Sequence, residues 1–376
     1  MLNVQLIKKT MRALGLTGKD VGDACGVTKE AASNWLKGES MPRPSKLIAL
    51  AALLKLPVEQ LLAPVEARPE PVVAYRMRNN RAPTVQAQEA GDEVARHLRQ
   101  LVPLTAGHSF FTNRGIPEPT LSDACIDDAV AATRSLLKLS PDEKVTHDHL
   151  FQLFAKIGVI LVPVFWGGDR EGHENAMSVY LPDSRTTWVL FNLGCRIDDF
   201  SYWLAHELGH ALTLHALQGD DGETFAERFA QKLLFPESVA AKALEAIRGA
   251  GDRMAAASWF AGSFDVSIVA VVKAADRVAK QRGEAPTGLD TGPFYGAWKR
   301  NRKSFPTAAH RLFGTDAPAP IEYIVKSEEL FGTPVFRALA KFQQLEGRSP
   351  AFVAATLNVN LGDGLVLSQA LAELSD

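Results

Sequence analysis

The 376-residue chain has little cysteine, no long apolar run and no large excess of either charge. Its three cysteines, Cys25, Cys125 and Cys195, lie far apart and form no C-x-x-C pair, which argues against a disulfide framework and against an all-cysteine zinc ribbon. No apolar run approaches the roughly 18–20 residues that cross a bilayer, and the N-terminus lacks the apolar core of a signal peptide. We therefore expect a cytoplasmic protein that does not enter a membrane.

The charge is close to neutral overall but unevenly distributed. The formal net charge is −2, so the whole chain has no basic signature of a nucleic-acid-binding protein. Residues 1–64, however, carry nine Lys and Arg against five Asp and Glu, while the remainder carries 32 against 38. Because the first 64 residues are basic and the remainder is acidic, the first 64 residues are the candidate for contact with nucleic acid.

The basic head contains the pattern of a helix-turn-helix. Thr17 and Thr28 are side chains typical of helix N-caps, and they precede the predicted helices Lys19–Cys25 and Lys29–Lys37. A tight turn at Gly26 joins these two short helices, as the motif requires. We therefore predict an all-α, Xre-type helix-turn-helix DNA-binding domain over residues 1–63.

The second helix of this motif is the one that enters the major groove of DNA. Its outward-facing residues are the predicted DNA contacts, because Asn can read adenine and Lys can bind bases or phosphates: Thr28, Lys29, Ser33, Asn34 and Lys37. A domain of this size alone binds weakly, so pairing into a homodimer on a palindromic site is expected. A role in binding protein rather than DNA stays open.

The rest of the chain changes in character along its length. Residues 64–84 are polar and rich in proline, and we interpret them as a linker. Residues 85–284 begin and end with helical periodicity around a β-rich middle, and residues 285–376 are predicted to be a helical, sensor-like region. The β-rich middle predicts a small antiparallel sheet with three strands: Val159–Phe165, Ala176–Leu181 and Thr187–Asn192. The fold class is thus multidomain and mainly α, with one α+β part.

The most informative motif is His206-Glu207-Leu208-Gly209-His210, an H-E-x-x-H sequence. Four residues advance a helix by about one turn, so both imidazoles project from the same face, as two zinc ligands on one helix require. Glu207 lies beside them, where a carboxylate can accept a proton from water as the general base of a metallopeptidase. The flanking residues are apolar almost all round, which indicates a buried helix whose ionisable groups need partners such as a metal.

A catalytic zinc usually has a third protein ligand. Glu223 and Glu227 share one face of the next predicted helix, and spacing alone does not choose between them. Ala226 and Ala230 on the same face are small enough to let this helix approach the motif helix closely. His215 lies about 140° from the ligand face and is predicted either to support a metal ligand or to be structural.

Together these segments resemble the ImmA/IrrE family of zinc metallopeptidases, fused to an Xre-type helix-turn-helix domain. The resemblance spans the first ~60 residues and about 130–280. It is carried by the family's order of segments: Ile157-Gly158-Val159-Ile160, then Ala205-His206-Glu207-Leu208-Gly209-His210, then Glu-x-x-Ala-x-x-Phe-Ala-x-x-Leu-Leu-x-Pro from Glu223 to Pro236, then Phe264-Asp265-Val266-Ser267.

The resemblance implies a zincin-like fold and a zinc ion held by His206, His210 and Glu223, with Glu207 catalytic. Family members often carry Asn where this chain has Glu227. It also implies an endopeptidase and transcriptional regulator that cleaves a partner repressor in a stress response such as DNA damage, or in a mobile element or defence locus.

Three further hypotheses follow from the sequence. Cys195 lies eleven residues before His206, just upstream of the motif helix, and its thiolate is a candidate latency ligand for the zinc. An edge of the small sheet is a candidate site for holding the substrate as an added strand. The alternative to an enzyme is a non-proteolytic DNA-binding regulator, or an antitoxin-like protein, that uses the metallopeptidase fold as a sensor or dimerisation body.

Overall fold

The computed structural model describes residues 2–62, 69–74, 85–105, 115–166, 176–302 and 305–374. The chain forms two compact units, Met1–Pro69 and Glu70–Asp376. Of the described residues 65% are in helices, and four described strands form a small mixed sheet. The finer division proposed above, with boundaries at residues 63, 84 and 284, stays a prediction.

The first unit is built from short helices around one apolar core. Its helices are α1 Val4–Ala13, α2 Gly18–Cys25, α3 Lys29–Lys37, α4 Pro44–Leu54 and α5 Val58–Leu61. The side chains of Thr17 and Thr28 accept hydrogen bonds from the backbone of the first turns of α2 and α3. Gly26 adopts the left-handed conformation (φ 57°) that lets the chain turn sharply between α2 and α3. Apolar side chains from all five helices form the core: Ile7, Val21, Cys25, Ala32, Trp35, Leu47, Leu50, Leu54 and Leu61.

The second unit contains the remaining described helices. Between the first and second strands of the sheet they are α6 Val85–Leu101, α7 Asp123–Leu136 and α8 His147–Lys156. Those after the sheet are α9 Ile197–Thr213, α10 Gly219–Leu234, α11 Glu237–Gly249, α12 Arg253–Phe264, α13 Ile268–Arg282, α14 Gly292–Arg302, α15 Ala308–Phe313, α16 Pro320–Phe331, α17 Val335–Glu346, α18 Pro350–Leu357 and α19 Leu361–Glu373.

The sheet differs from the antiparallel one predicted from the sequence. Its strands are β1 Val72–Ala74, β2 Val159–Val164, β3 Ala176–Leu181 and β4 Thr186–Asn192, in the order β1-β3-β4-β2. The β3–β4 and β1–β3 pairs are antiparallel, but β2 pairs with β4 in parallel, so the prediction of an antiparallel sheet was wrong. All six residues of β2 are buried, and a continuous apolar run buried on both faces is typical of parallel strands.

Strand β1 lies in the segment interpreted as a linker. Its three residues pair antiparallel with Ser178–Tyr180 of β3. The other residues of that segment that the structure describes are 69–71, while 64–68 and 75–84 lie outside the described part of the chain. The linker is therefore interrupted by an ordered strand that belongs to the second unit.

The C-terminal helices pack on the opposite edge of the sheet. The hydroxyls of Tyr323 and Thr333 donate hydrogen bonds to the carbonyls of Pro163 and Leu161 in β2. The indole nitrogen of Trp166, just after β2, donates to the carbonyl of Leu357 at 3.1 Å. Side chains of residues 285–376 thus satisfy backbone groups at the β2 edge of the sheet.

The length and hydropathy of the described helices bear on whether any of them could span a membrane. No single one of them is long and apolar enough to cross a bilayer. Two sharply bent pairs, α12 with α13 and α18 with α19, reach the required length and composition when each pair is taken together.

Candidate metal centre and helix-turn-helix face

Helix α9 carries the H-E-x-x-H motif in the interior of the second unit. His206, Glu207 and His210 expose only 1–3% of their surface. The i,i+4 spacing places the two imidazoles on one face, with their Nε2 atoms 3.1 Å apart. Buried polar side chains of this kind are stable only with partners, so their surroundings decide what the motif can do.

Helix α10 supplies a carboxylate to the two imidazoles. Glu223 Oε1 lies 3.0 Å from His210 Nε2, and Glu223 Oε2 lies 3.4 Å from His206 Nε2. Ligand atoms of these three residues all lie within 4.8 Å of one another, and among the described residues they form the one His/Cys/Asp/Glu group with this geometry. Glu227 is exposed and lies outside the group. The geometry thus distinguishes between two glutamates that spacing alone left equivalent.

The two helices meet closely because the contact between them is made of small residues. A Cβ atom placed on Gly209 of α9 would lie 2.8 Å from Cα of Ala226 in α10, which is closer than carbon atoms pack. Helix α10 carries the buried apolar side chains of Phe225 and Phe229, and α9 carries that of Leu208. The absence of a side chain at Gly209 therefore allows the approach that brings Glu223 to the imidazoles.

The three donors fit a zinc ion in both chemistry and spacing. Zinc binds imidazole nitrogen and carboxylate oxygen at about 2.0–2.2 Å in tetrahedral sites, so neighbouring donors in such a shell lie about 3.3–3.5 Å apart. The separations observed here are 3.0, 3.1 and 3.4 Å, so one lies within this range and two lie slightly below it. Two histidines and one glutamate, with one position left for water, are also the ligand set of catalytic rather than structural zinc sites.

The electrostatics of the cluster favour a bound cation. Burial opposes ionisation of Glu223, but hydrogen bonds from His206 and His210 outweigh burial and lower the pKa of the Glu223 carboxyl to about 2. Burial also lowers the pKa of His210, yet the hydrogen bond to Glu223 and the charges of Glu207 and Glu223 raise it overall. The Glu223 carboxylate is thus ionised at neutral pH, and its negative charge, largely shielded from water, attracts a cation.

Sequence reasoning missed one residue of this site, Ser178 in β3. Its side chain is fully buried, and its hydroxyl donates a hydrogen bond to Glu207 Oε2 at 2.5 Å. The strand places the hydroxyl on the face that packs against α9. The only signal in the sequence was a serine in an otherwise apolar strand, and that pattern does not reveal its partner 29 residues away.

Two other residues considered from the sequence do not join the cluster. Cys195 is 7% exposed and belongs to the hydrophobic core before α9, and it is not among the donors that meet within 4.8 Å. His215 is exposed beyond the end of α9, and its ring lies edge-on to Tyr180, with the ring centres 6.5 Å apart. The structure therefore does not bring the Cys195 thiol together with the proposed zinc ligands.

The predicted DNA contacts lie on the outer face of α3. Thr28, Lys29, Asn34 and Lys37 are exposed, and Ser33 is half-buried. The Thr28 hydroxyl is also used to cap α3, because it accepts a hydrogen bond from the backbone of Ala31 at 3.2 Å.

A basic groove borders this face of α3. Lys29 and Lys37 line it together with Lys8 of α1 and Lys19 of α2, and both of these are exposed. Lys19 was not among the residues predicted to contact DNA. It belongs to the helix that crosses the phosphate backbone in this motif, so the groove extends the positive surface from α3 toward the phosphates.

Asn34 is already engaged within the first unit. When the side-chain amide is oriented with its nitrogen toward Glu30 and Glu39, that nitrogen donates to the Glu30 carbonyl at 3.3 Å and to Glu39 Oε2 at 3.2 Å. Reading a base would require this side chain to exchange its contact with Glu39 for one with DNA.

Comparison with known proteins bears on the first unit. Residues 7–61 match a helix-turn-helix family model. The N-terminal unit is a helix-turn-helix domain. This confirms the sequence prediction for that region, and it indicates a DNA-binding regulator. No curated protein and no solved structure matches the chain, so the resemblance of the second unit to ImmA/IrrE metallopeptidases stays a prediction.

Proposed function

We propose that this DNA-binding regulator is also a zinc-dependent endopeptidase that cleaves a partner repressor protein and thereby relieves repression. The observation that carries the proposal is the convergence of His206, His210 and Glu223 in the interior, with the buried carboxylate of Glu207 beside them. A site that only holds a structural metal does not need a further buried carboxylate next to its ligands, whereas hydrolysis needs a general base.

The chemistry is that of a metallopeptidase. His206, His210 and Glu223 would hold the ion, and zinc supplies Lewis acidity that makes water acidic and polarises a carbonyl group. Glu207 accepts a proton from the attacking water and passes it to the leaving amine. Ser178 donates a hydrogen bond to one oxygen of Glu207, which fixes the orientation of the carboxylate.

The choice of a repressor as substrate rests on the ImmA/IrrE resemblance and on the helix-turn-helix domain. A DNA-binding head next to a peptidase is suited to substrates that are themselves bound to DNA. In this proposal the signal is a stress such as DNA damage, or the activation of a mobile element or defence locus. Binding as a homodimer on a palindromic operator is part of the proposal, since one small domain buries too little surface for tight binding.

The test is cleavage of candidate repressors by the zinc-loaded full-length chain. The wild type and Glu207→Gln are first matched for zinc content, then incubated with repressors encoded near the gene, with and without a chelator. We expect specific fragments from the wild type alone and none after chelation. Fragments from neither protein, with zinc bound in both, would contradict the proposal and favour a non-proteolytic regulator or an antitoxin-like role.

A further inference from the structure

Strand β3 is the part of the sheet that lies against the candidate catalytic residues. Ser178 of β3 contacts Glu207 directly, and α9 packs on the same face of the strand. An extended peptide that paired with the outer edge of β3 would therefore run past the general base. Such strand addition is a common way for proteins to bind peptides, because the sheet edge supplies backbone hydrogen bonds.

In the structure this edge of β3 is taken by β1. Val72, Val73 and Ala74 pair antiparallel with Tyr180, Val179 and Ser178, respectively. The strand thus ends opposite the residue that holds Glu207. A segment of the chain itself occupies the course that an antiparallel substrate strand would follow.

The two outer strands of the sheet are held very differently. At the β2 edge, the buried side chains of Tyr323 and Thr333 donate hydrogen bonds to backbone carbonyls. The described part of strand β1 consists of three residues, and each of them is half-exposed. Short, partly exposed segments open locally at a small fraction of the free energy of global unfolding. The β1 edge is therefore the one that can open while the rest of the sheet stays folded.

We propose that β1 is a displaceable strand that occludes a peptide-binding edge on β3, and that an extended peptide segment of the substrate binds by replacing it. This inference rests on the proposed peptidase function and adds its regulation. With β1 paired, the edge beside Glu207 is closed to substrate; with β1 released, the edge takes an extended peptide antiparallel to β3.

The first test measures peptide binding without catalysis. In the full-length Glu207→Gln chain, Val72→Pro and Val73→Pro are made separately, because adjacent residues of a strand alternate in hydrogen bonding to one neighbour and proline removes the donor. The probe is a fluorescein-labelled peptide with the sequence of residues 70–76, and the readout is fluorescence anisotropy. Glu70→Pro, just outside the strand, is the matched control.

We expect at least one of the two proline variants to bind the peptide about tenfold more tightly than the parent and than Glu70→Pro, because the competing strand no longer pairs. A tenfold change corresponds to about 1.4 kcal/mol. Equal affinity in all four proteins, or no binding in any, would overturn the inference. Unchanged zinc content and thermal midpoint establish that the variants are folded.

A second variant closes the edge instead of opening it. Val73 and Val179 are direct cross-strand partners, and Val179 is fully buried on the face opposite Ser178. Such a pair is close enough for a disulfide, so Val73→Cys with Val179→Cys should fix β1 in place without touching the site. We expect the oxidised protein to lose peptide binding and a phosphine reductant to restore it, whereas each single cysteine variant stays unaffected by oxidation. Binding that persists in the oxidised form would contradict the proposal.

Hydrolysis of fluorescent casein by the same β1 variants, with Glu207 intact, separates this inference from the proposed function. If peptide binding follows the state of β1 but no zinc-loaded variant cleaves casein or any of the candidate repressors, the peptidase proposal fails and the peptide-binding edge remains. If casein is cleaved at the same rate whatever the state of β1, the peptidase proposal survives and the occluding strand does not.

Discussion

The two units of the molecule expose their candidate functional side chains to opposite extents. In the second unit, His206 and His210 are almost completely buried and contact one another and Glu223. In the first unit, Lys29 and Lys37 are exposed on a basic groove. Buried polar groups depend on each other, so removing one leaves the others unsatisfied, whereas exposed charges act almost independently and are screened by salt. Substitutions should therefore have large effects in the metal centre and small effects on the helix-turn-helix face.

The largest effect is expected from removing a proposed metal ligand. Glu223→Ala should lower zinc affinity by more than about 100-fold, because even residues that only support metal ligands contribute about 10- to 100-fold. Competition with a fluorescent zinc chelator measures this affinity. Glu227→Ala, on the same helix but exposed, is the control and should bind zinc as the wild type does. Equal losses in both variants would show that helix α10 is disturbed as a whole and that Glu223 has no special role.

The next largest effect concerns the close contact of the two helices. Gly209→Ala places a Cβ atom 2.8 Å from Cα of Ala226, so α9 and α10 must move apart. We expect a loss of about 1–3 kcal/mol in the free energy of unfolding, together with weaker zinc binding. Gly262→Ala in α12 meets no atom within 4 Å and should instead stabilise the protein by about 0.5–1 kcal/mol. Denaturant unfolding measures both, and a neutral Gly209→Ala would contradict the packing argument.

A smaller effect is expected at the buried hydrogen bond of the general base. Ser178→Ala should lower kcat of casein hydrolysis by about tenfold while KM and zinc content stay unchanged, because the hydroxyl acts only through Glu207. Ser178→Thr retains the hydroxyl and should recover part of the rate. A change confined to KM, or a loss of zinc, would show that Ser178 does not act by orienting Glu207.

The smallest effect is expected on the exposed face. Lys29→Ala should weaken binding to a random-sequence DNA duplex a few-fold. The slope of log affinity against log salt concentration should fall by about one, which corresponds to the loss of one phosphate contact. Lys55→Asn removes one positive charge outside the groove and tolerates the left-handed backbone at that position (φ 56°), so it is the matched control. If both variants lose the same affinity, the effect is due to net charge alone and the groove is not the contact surface.

The local parts of this account could be predicted from the sequence. Helices α2 and α3 follow from their caps and the glycine between them, and the imidazole pair follows from the i,i+4 spacing within one helix. The choice of Glu223 came from the family resemblance, because Glu223 and Glu227 are equivalent by periodicity. In the structure, only Glu223 reaches the imidazoles.

The parts that depend on strand pairing could not be predicted. A fully apolar strand such as β2 can pair with a parallel or an antiparallel neighbour. The residues of β2 therefore do not determine its direction relative to β4. The described strand β1 covers three residues of a proline-rich segment, too few to show a periodicity in the sequence. The contact of Ser178 with Glu207 depends on how the sheet packs on α9, which no local pattern encodes.

The central claim, that two imidazoles of α9 and one carboxylate of α10 hold a zinc ion, is tested most directly by X-ray absorption spectroscopy of the zinc-loaded full-length chain. We predict one zinc per chain with two imidazole ligands, only oxygen or nitrogen donors in the shell, and loss of this spectrum in Glu223→Ala. A sulfur ligand, which would point to Cys195, or a spectrum that Glu223→Ala leaves unchanged would contradict the assignment.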